Sequence, residues 1–165
     1  MGDRELHVAQ LVIPGEPQAL ARPRVARGRM YDPRVNQIAK ERIRRLWRGA
    51  GYEPFGDDAP LHLAVHCFFP RPRSHYVGRN VERGRLRPDA PRFVARRPDL
   101  DNVVKLVADA LQGLAFADDS RIVWLDASKR WVDPPLAQTL VTLREMRPYP
   151  PPVEQPAAQA VRLAA

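Results

Sequence analysis

Residues 99–131 read DLDNVVKLVADALQGLAFADDSRIVWLDASKRW, and the change of rhythm inside this stretch decides the fold class. From Asp99 to Gly113 the apolar residues Val103, Val104, Val107, Ala110 and Leu111 recur at helical spacing, with an aspartate near the N-cap and a glycine as the C-terminal stop. Asp101, Lys105, Asp109 and Gln112 then share one face of that helix, at spacings of four and three. Beyond a loop carrying Asp118 and Asp119, Arg121 to Trp131 reads as a strand. A turn at Asp133-Pro134-Pro135 leads to another strand from Ala137 to Met146, and these two strands are expected to form a hairpin.

Toward the N-terminus, Leu6 to Ile13 reads as a strand closed by the turn signal Pro14-Gly15, and Gln18 to Tyr31 as an arginine-rich loop. Asp32-Pro33 has the form of an N-cap followed by proline at the first helical position. Val35, Ile38, Ala39, Ile43, Leu46, Trp47 and Ala50 follow at helical spacing, so this helix should end near Gly49 to Gly51, with Arg34, Arg42, Arg45 and Arg48 opposite its apolar face. Pro60 to Phe69 alternates: Leu61, Leu63, Val65, Cys67 and Phe69 form one side of a strand, and His62, Ala64, His66 and Phe68 the other. At ~3.3 Å per residue, His62 and His66 are too far apart to share one metal, so structural roles are expected for them. His7 and His75 stay unassigned. Pro70 to Pro98 lacks periodicity and reads as a long mobile loop that a bound polyanion would order. Arg147 to Ala165, with five prolines and alanine runs, reads as a disordered tail. The expected architecture is a single compact α/β (α+β) domain over residues 1–146, with a mixed, mainly antiparallel sheet and two principal helices, followed by the tail 147–165.

At 165 residues the chain is long enough to bury a full core without disulfide or structural metal, and its lone Cys67 fits a reducing compartment. No apolar run approaches the ~20 residues of a membrane span, and Met1 to Gln10 mixes charge with polarity, so a cytoplasmic location is expected. The formal net charge of +8 indicates a polyanionic partner. Of 27 basic residues only Lys40, Lys105 and Lys129 are lysines; the arginines offer the bidentate geometry that phosphate accepts.

Charge is unevenly placed. Arg22 to Arg48 carries a local net of +8 and Arg71 to Arg97 one of +7, whereas Pro98 to Asp126 carries −4 through Asp99, Asp101, Asp109, Asp118, Asp119 and Asp126. Carboxylates repel the phosphates that the flanking arginines attract, so something must neutralise them. Individual aspartates can serve as caps and turn residues. Several converging on a divalent cation would instead reverse the local sign and admit a phosphate. All candidate ligands are oxygens, with no nearby His or Cys, which favours Mg²⁺, with Mn²⁺ as the alternative, over zinc. Asp99, Asp101 and Asp119 are the expected metal ligands. A helix of about 15 residues puts roughly 20 Å between Asp99 and Gly113. Leu114 to Asp119 must therefore run back along it, or Asp119 must come from a second subunit. Lys105 is expected to pair with a carboxylate or to stabilise the phosphate as a point charge.

At these residues the sequence resembles the RusA family of Holliday junction resolvases, the crossover junction endodeoxyribonucleases common on prophages. The resemblance rests on Pro98-Asp99-Leu100-Asp101-Asn102-Val103-Val104-Lys105, Asp109-Ala110-Leu111 and Asp118-Asp119-Ser120-Arg121-Ile122-Val123. It extends to Ile13-Pro14-Gly15-Glu16-Pro17, Arg22-Pro23-Arg24 and Lys129-Arg130-Trp131. It implies that Asp99, Asp101 and Asp119 are the essential metal-binding carboxylates, Lys105 the important lysine, and Asp118 secondary. It also implies a mixed α/β homodimer that makes paired, symmetric, Mg²⁺-dependent nicks across four-way branched DNA in recombination, repair or phage DNA processing. Arg121 stands where the family usually has glutamine, and the segment Arg79 to Arg96 looks like a local elaboration. Arg22, Arg24, Arg71, Arg73, Arg96 and Arg97 are expected to grip the backbone, reading DNA shape more than sequence. The rival readings are a branched-DNA-binding protein without cleavage, and a nuclease of flaps or hybrids.

Overall fold

The structure, a computed structural model, describes residues 7–21, 24–26, 29–78 and 84–146, with 24–26 and 29–31 described by their backbone. The position of Arg22 and the tail 147–165 lie outside the described residues. Four strands form one sheet in the order β1 (Val8–Pro14), β6 (Gln138–Glu145), β4 (Leu61–Pro70), β5 (Ile122–Val132). The β1–β6 and β6–β4 pairs are antiparallel and β4–β5 is parallel, so the sheet is mixed and mainly antiparallel. Two helices, α1 (Arg34–Ala50) and α2 (Leu100–Leu111), pack together against one face of the sheet. No helix among the described residues is long and apolar enough to cross a membrane.

The expected hairpin does not form. β4 lies between β5 and β6 and takes both as partners. The reason is legible in β4: not only Leu61, Leu63, Val65, Cys67 and Phe69 but also Ala64 is buried, and the rest are half-buried, the mark of an interior strand that needs neighbours on both edges. Parallel pairing of β4 with β5 requires a crossover, and α2 supplies it. The Asp133–Ala137 connection then carries the chain past β4 to its other edge.

Two further expectations change. Within Gln18–Tyr31, β2 (Arg24–Ala26) and β3 (Arg29–Tyr31) pair as an antiparallel ribbon where a loop was expected. The described parts of Pro70–Pro98 are anchored: Tyr76 is buried and its hydroxyl donates to Asp133 at 2.6 Å, Val94 is buried, and Tyr76 bridges to Leu86.

The core joins Ile43 and Trp47 of α1, Val103, Leu106, Val107 and Leu111 of α2, and the alternating residues of β4, β6 and β1. Cys67 sits at its centre, and burial pushes its thiol up to about 11. Helix α1 begins one residue later than expected, with Pro33 at the N-cap position. Asp32 is free for another task because Asn36, 1% exposed, takes it as a partner: Asn36 Nδ2 donates to Asp32 Oδ1 at 2.6 Å and to the Ala21 carbonyl at 2.9 Å, while its Oδ1 accepts from Ala21 N–H at 2.8 Å. One buried amide thus clamps both feet of the basic ribbon. Asn36→Ala leaves the Ala21 N–H and carbonyl without this partner and the Asp32 carboxylate with Lys40 alone, and is expected to cost about 2 kcal/mol, read as a lower urea midpoint at unchanged slope; an unchanged midpoint would show that the clamp carries no stability.

Candidate active site

Helix α2 starts at Leu100, with Asp99 in the half-in cap position, extended in conformation (ψ 138°) and making no side-chain capping bond. The usual local reason for an aspartate there is therefore missing. One turn apart, Asp101, Lys105 and Asp109 line a hollow of about 520 Å³ between α2 and the β4–β5 edge of the sheet. Leu63, Leu125 and Ala127 form its apolar floor, because the parallel register sets Leu63 beside Leu125 and Val65 beside Ala127 on the helix-bearing face. Asp119 and Ile122 complete the wall.

Asp119 reaches the hollow through a turn that Asp118 organises. Asp118 Oδ1 accepts from the Ser120 N–H at 3.0 Å and its Oδ2 from Gln112 Nε2 at 3.2 Å, tying the loop to the end of α2. The Ser120 bonds hold the Asp118 carboxyl below the ordinary carboxylate range. The adjacent aspartates thus divide their work: Asp118 caps the 3-10 turn Asp119–Arg121, and Asp119 lines the cavity.

The charges in the hollow are unequal. Asp109 Oδ2 pairs with Lys40 Nζ at 3.1 Å, and the same ammonium lies 3.2 Å from Asp32. Asp101, Asp119 and Lys105 enter no ion pair among the described residues. Asp99 opens on a neighbouring hollow with Ala19, Leu20, Arg97, Pro98 and Asn102. No three His, Cys, Asp or Glu side chains among the described residues gather closely enough for one metal ion, so a single chain joins Asp101 and Asp119 in one cavity and leaves Asp99 beside it. Two carboxylates with no imidazole or thiolate suit Mg²⁺, which keeps several waters and takes one or two protein carboxylates plus substrate phosphate.

The arginines fall into groups. Arg71 is committed internally: its Nη1 donates to the Pro91 carbonyl at 2.8 Å and its Nε lies 3.5 Å from Asp133. Arg73 and Arg97 are exposed, Arg97 beside Asp99, and Arg96 stacks on Trp131 with its guanidinium carbon 4.7 Å from the ring centroid. Arg24 lies on the ribbon strand β2. The histidines are structural partners across the sheet: His62 Nε2 lies 2.8 Å from Asp126, and His66 Nδ1 lies 2.9 Å from the Ser128 hydroxyl.

Lys129 carries a role that sequence reading left unassigned. Its Nζ donates to the carbonyls of Arg96 at 2.6 Å and Pro98 at 2.8 Å, fixing the segment that delivers Asp99. Strand parity was the available signal. Lys129 sits opposite Cys67, on the helix-bearing face, where an ammonium must find acceptors.

The chain is 30% identical over 135 residues to a Bacillus subtilis (strain 168) protein described as uncharacterized protein YqaN, covering 77% of this chain and 90% of that relative. The profile described as Endodeoxyribonuclease RusA matches residues 14–144, which include every strand and helix of the sheet domain from the end of β1 to β6 and all the acidic residues above. The chain therefore belongs to the RusA endodeoxyribonuclease family, a family of nucleases that act on DNA.

Proposed function

We propose that this protein is a Mg²⁺-dependent endonuclease that resolves four-way branched DNA by paired symmetric nicks, acting as a homodimer in recombination, repair or phage DNA processing. The observation that carries the reading is the hollow in which, among the described residues, Asp101 and Asp119 stand without a cationic partner while Lys105 beside them enters no ion pair. Asp101 and Asp119 would hold the ion, with Asp99 at its margin. When bound, Mg²⁺ supplies an activated water and stabilises charge on the phosphate and the leaving oxygen.

The chain's own residues do the rest. The apolar floor of Leu63, Leu125 and Ala127 lowers the local dielectric and strengthens the pull of Lys105 on a phosphate oxygen. Lys40 removes Asp109 from competition for the cation. Arg97, which lines the hollow beside Asp99, and its chain neighbour Arg96 put positive charge at the approach to Asp99 and would make phosphate contacts that set register, with the exposed Arg73 as a further candidate. Two copies related by a two-fold axis present the same site to opposing strands, which is how paired nicks arise.

The test is cleavage of a synthetic four-way junction, read at nucleotide resolution with flap and RNA–DNA hybrid substrates alongside. Symmetric nicks are expected with Mg²⁺ or Mn²⁺ and none after chelation. A chain that binds the junction but never nicks it under any divalent cation would be a binding protein, and preferential cutting of flaps or hybrids would reassign the substrate.

A further inference from the structure

Phe93 lies in the segment that looks like a local elaboration, and it is 56% exposed. It is nevertheless held in place. The Val94 N–H donates to the Lys129 carbonyl at 3.2 Å, the Trp131 N–H donates to the Arg92 carbonyl at 3.1 Å, and Phe93 forms an antiparallel bridge with Arg130 on the outer edge of β5. Two guanidinium groups flank the ring, with the carbons of Arg92 and Arg130 at 5.8 and 5.9 Å from its centroid. Arg130 Nε is also buried without a hydrogen-bond partner among the described residues.

The placement connects this ring to the cavity. Lys129 binds the residue after Phe93 through its carbonyl and the residue before Asp99 through its ammonium. Strand alternation directs Lys129 and Ala127 toward the helices and Arg130, with Phe93 beside it, toward the opposite face of the sheet. The edge of β5 therefore separates the hollow from the exposed ring. A continuous stacked duplex offers no free base to such a ring, whereas strands that part at a branch do.

Resting on the reading of this protein as a nuclease of branched DNA, we propose that Phe93 is a stacking platform for a nucleobase unstacked at the branch point, with Arg92 and Arg130 taking the flanking phosphates. An aromatic face accepts any base, and the adjoining guanidiniums supply charge without sequence preference. The site therefore recognises parted strands and not a particular sequence.

The experiment uses the full chain carrying Asp101→Asn, so that binding is measured without cutting, and a four-way junction with 2-aminopurine at the branch point. The parent protein is expected to change the 2-aminopurine fluorescence, Phe93→Ala to lose that change and about tenfold in junction affinity, and Phe93→Trp to keep both. Affinity for a linear duplex of the same length should be the same in all three. Equal junction binding and equal fluorescence for Phe93→Ala would overturn the proposal, as would an equal loss on linear duplex, which would make Phe93 a mere spacer for its arginines. Because none of these readouts needs cleavage, a failure here is distinguishable from a failure of the nuclease reading, which would show as wild-type protein that cuts no DNA.

Discussion

Asp101→Asn and Asp119→Asn are each expected to slow single-turnover cutting of a four-way junction by about a thousandfold, the scale of the several kcal/mol a bound cation supplies. Both variants should bind the junction as well as the wild type or better. An amide in place of a carboxylate removes a negative charge that repels the DNA backbone, so affinity rises as catalysis falls. The neighbours provide internal comparisons. Asp118 already spends both oxygens on Ser120 and Gln112, and Asp109 is paired with Lys40, so their amide variants should lose much less. Rates for the four variants beside measured affinities check the ordering. Asp101→Asn within tenfold of wild type would mean that the hollow is not where the phosphodiester is cut.

Lys129→Met is the second large effect. Methionine keeps an apolar stem of similar length but cannot donate, so the carbonyls of Arg96 and Pro98 lose the group that positions them. Asp99 follows Pro98 directly, and freeing its approach blurs the carboxylate without touching its chemistry. Groups around a metal site that orient its surroundings typically contribute 10- to 100-fold, and with Asp99 at the margin of the proposed ion a loss at the lower end, about tenfold, is expected. A magnesium titration separates positioning from general damage: the half-saturating concentration should rise, while a urea midpoint measured in parallel shows how much of the effect is stability. A lower rate at every concentration with unchanged half-saturation would contradict the positioning role.

Local periodicity made much of the fold legible. The helical spacing of Val103, Val107, Ala110 and Leu111 marked α2, and the shared face of Asp101, Lys105 and Asp109 is the face that lines the hollow. Pairing was harder to read. Nothing in the local pattern of β5 and β6 says that β4 will separate them; that follows from β4 having one fully buried face and the other at least half-covered, a property of the assembled sheet. The ribbon within Gln18–Tyr31 was missed for a related reason, since its strands are three residues each and too short to show alternation.

The site divides similarly. Residue type and spacing singled out the aspartates and Lys105. The separate tasks of Asp118 and Asp119, the neutralisation of Asp109 by Lys40 and the anchoring of Asp99 by Lys129 depend on contacts between residues remote in the chain. The internal commitment of Arg71 is of the same kind: sequence shows a guanidinium, and only the fold shows Pro91 and Asp133 already beside it.

Crystals of the full chain with a bound four-way junction, soaked in Mn²⁺, address the metal site directly through anomalous scattering. A peak about 2 Å from a carboxylate oxygen of Asp101 and of Asp119 is expected, with a junction phosphate completing the coordination. DNA bound across the hollow with no peak beside those oxygens, or with the peak on other residues, would contradict it.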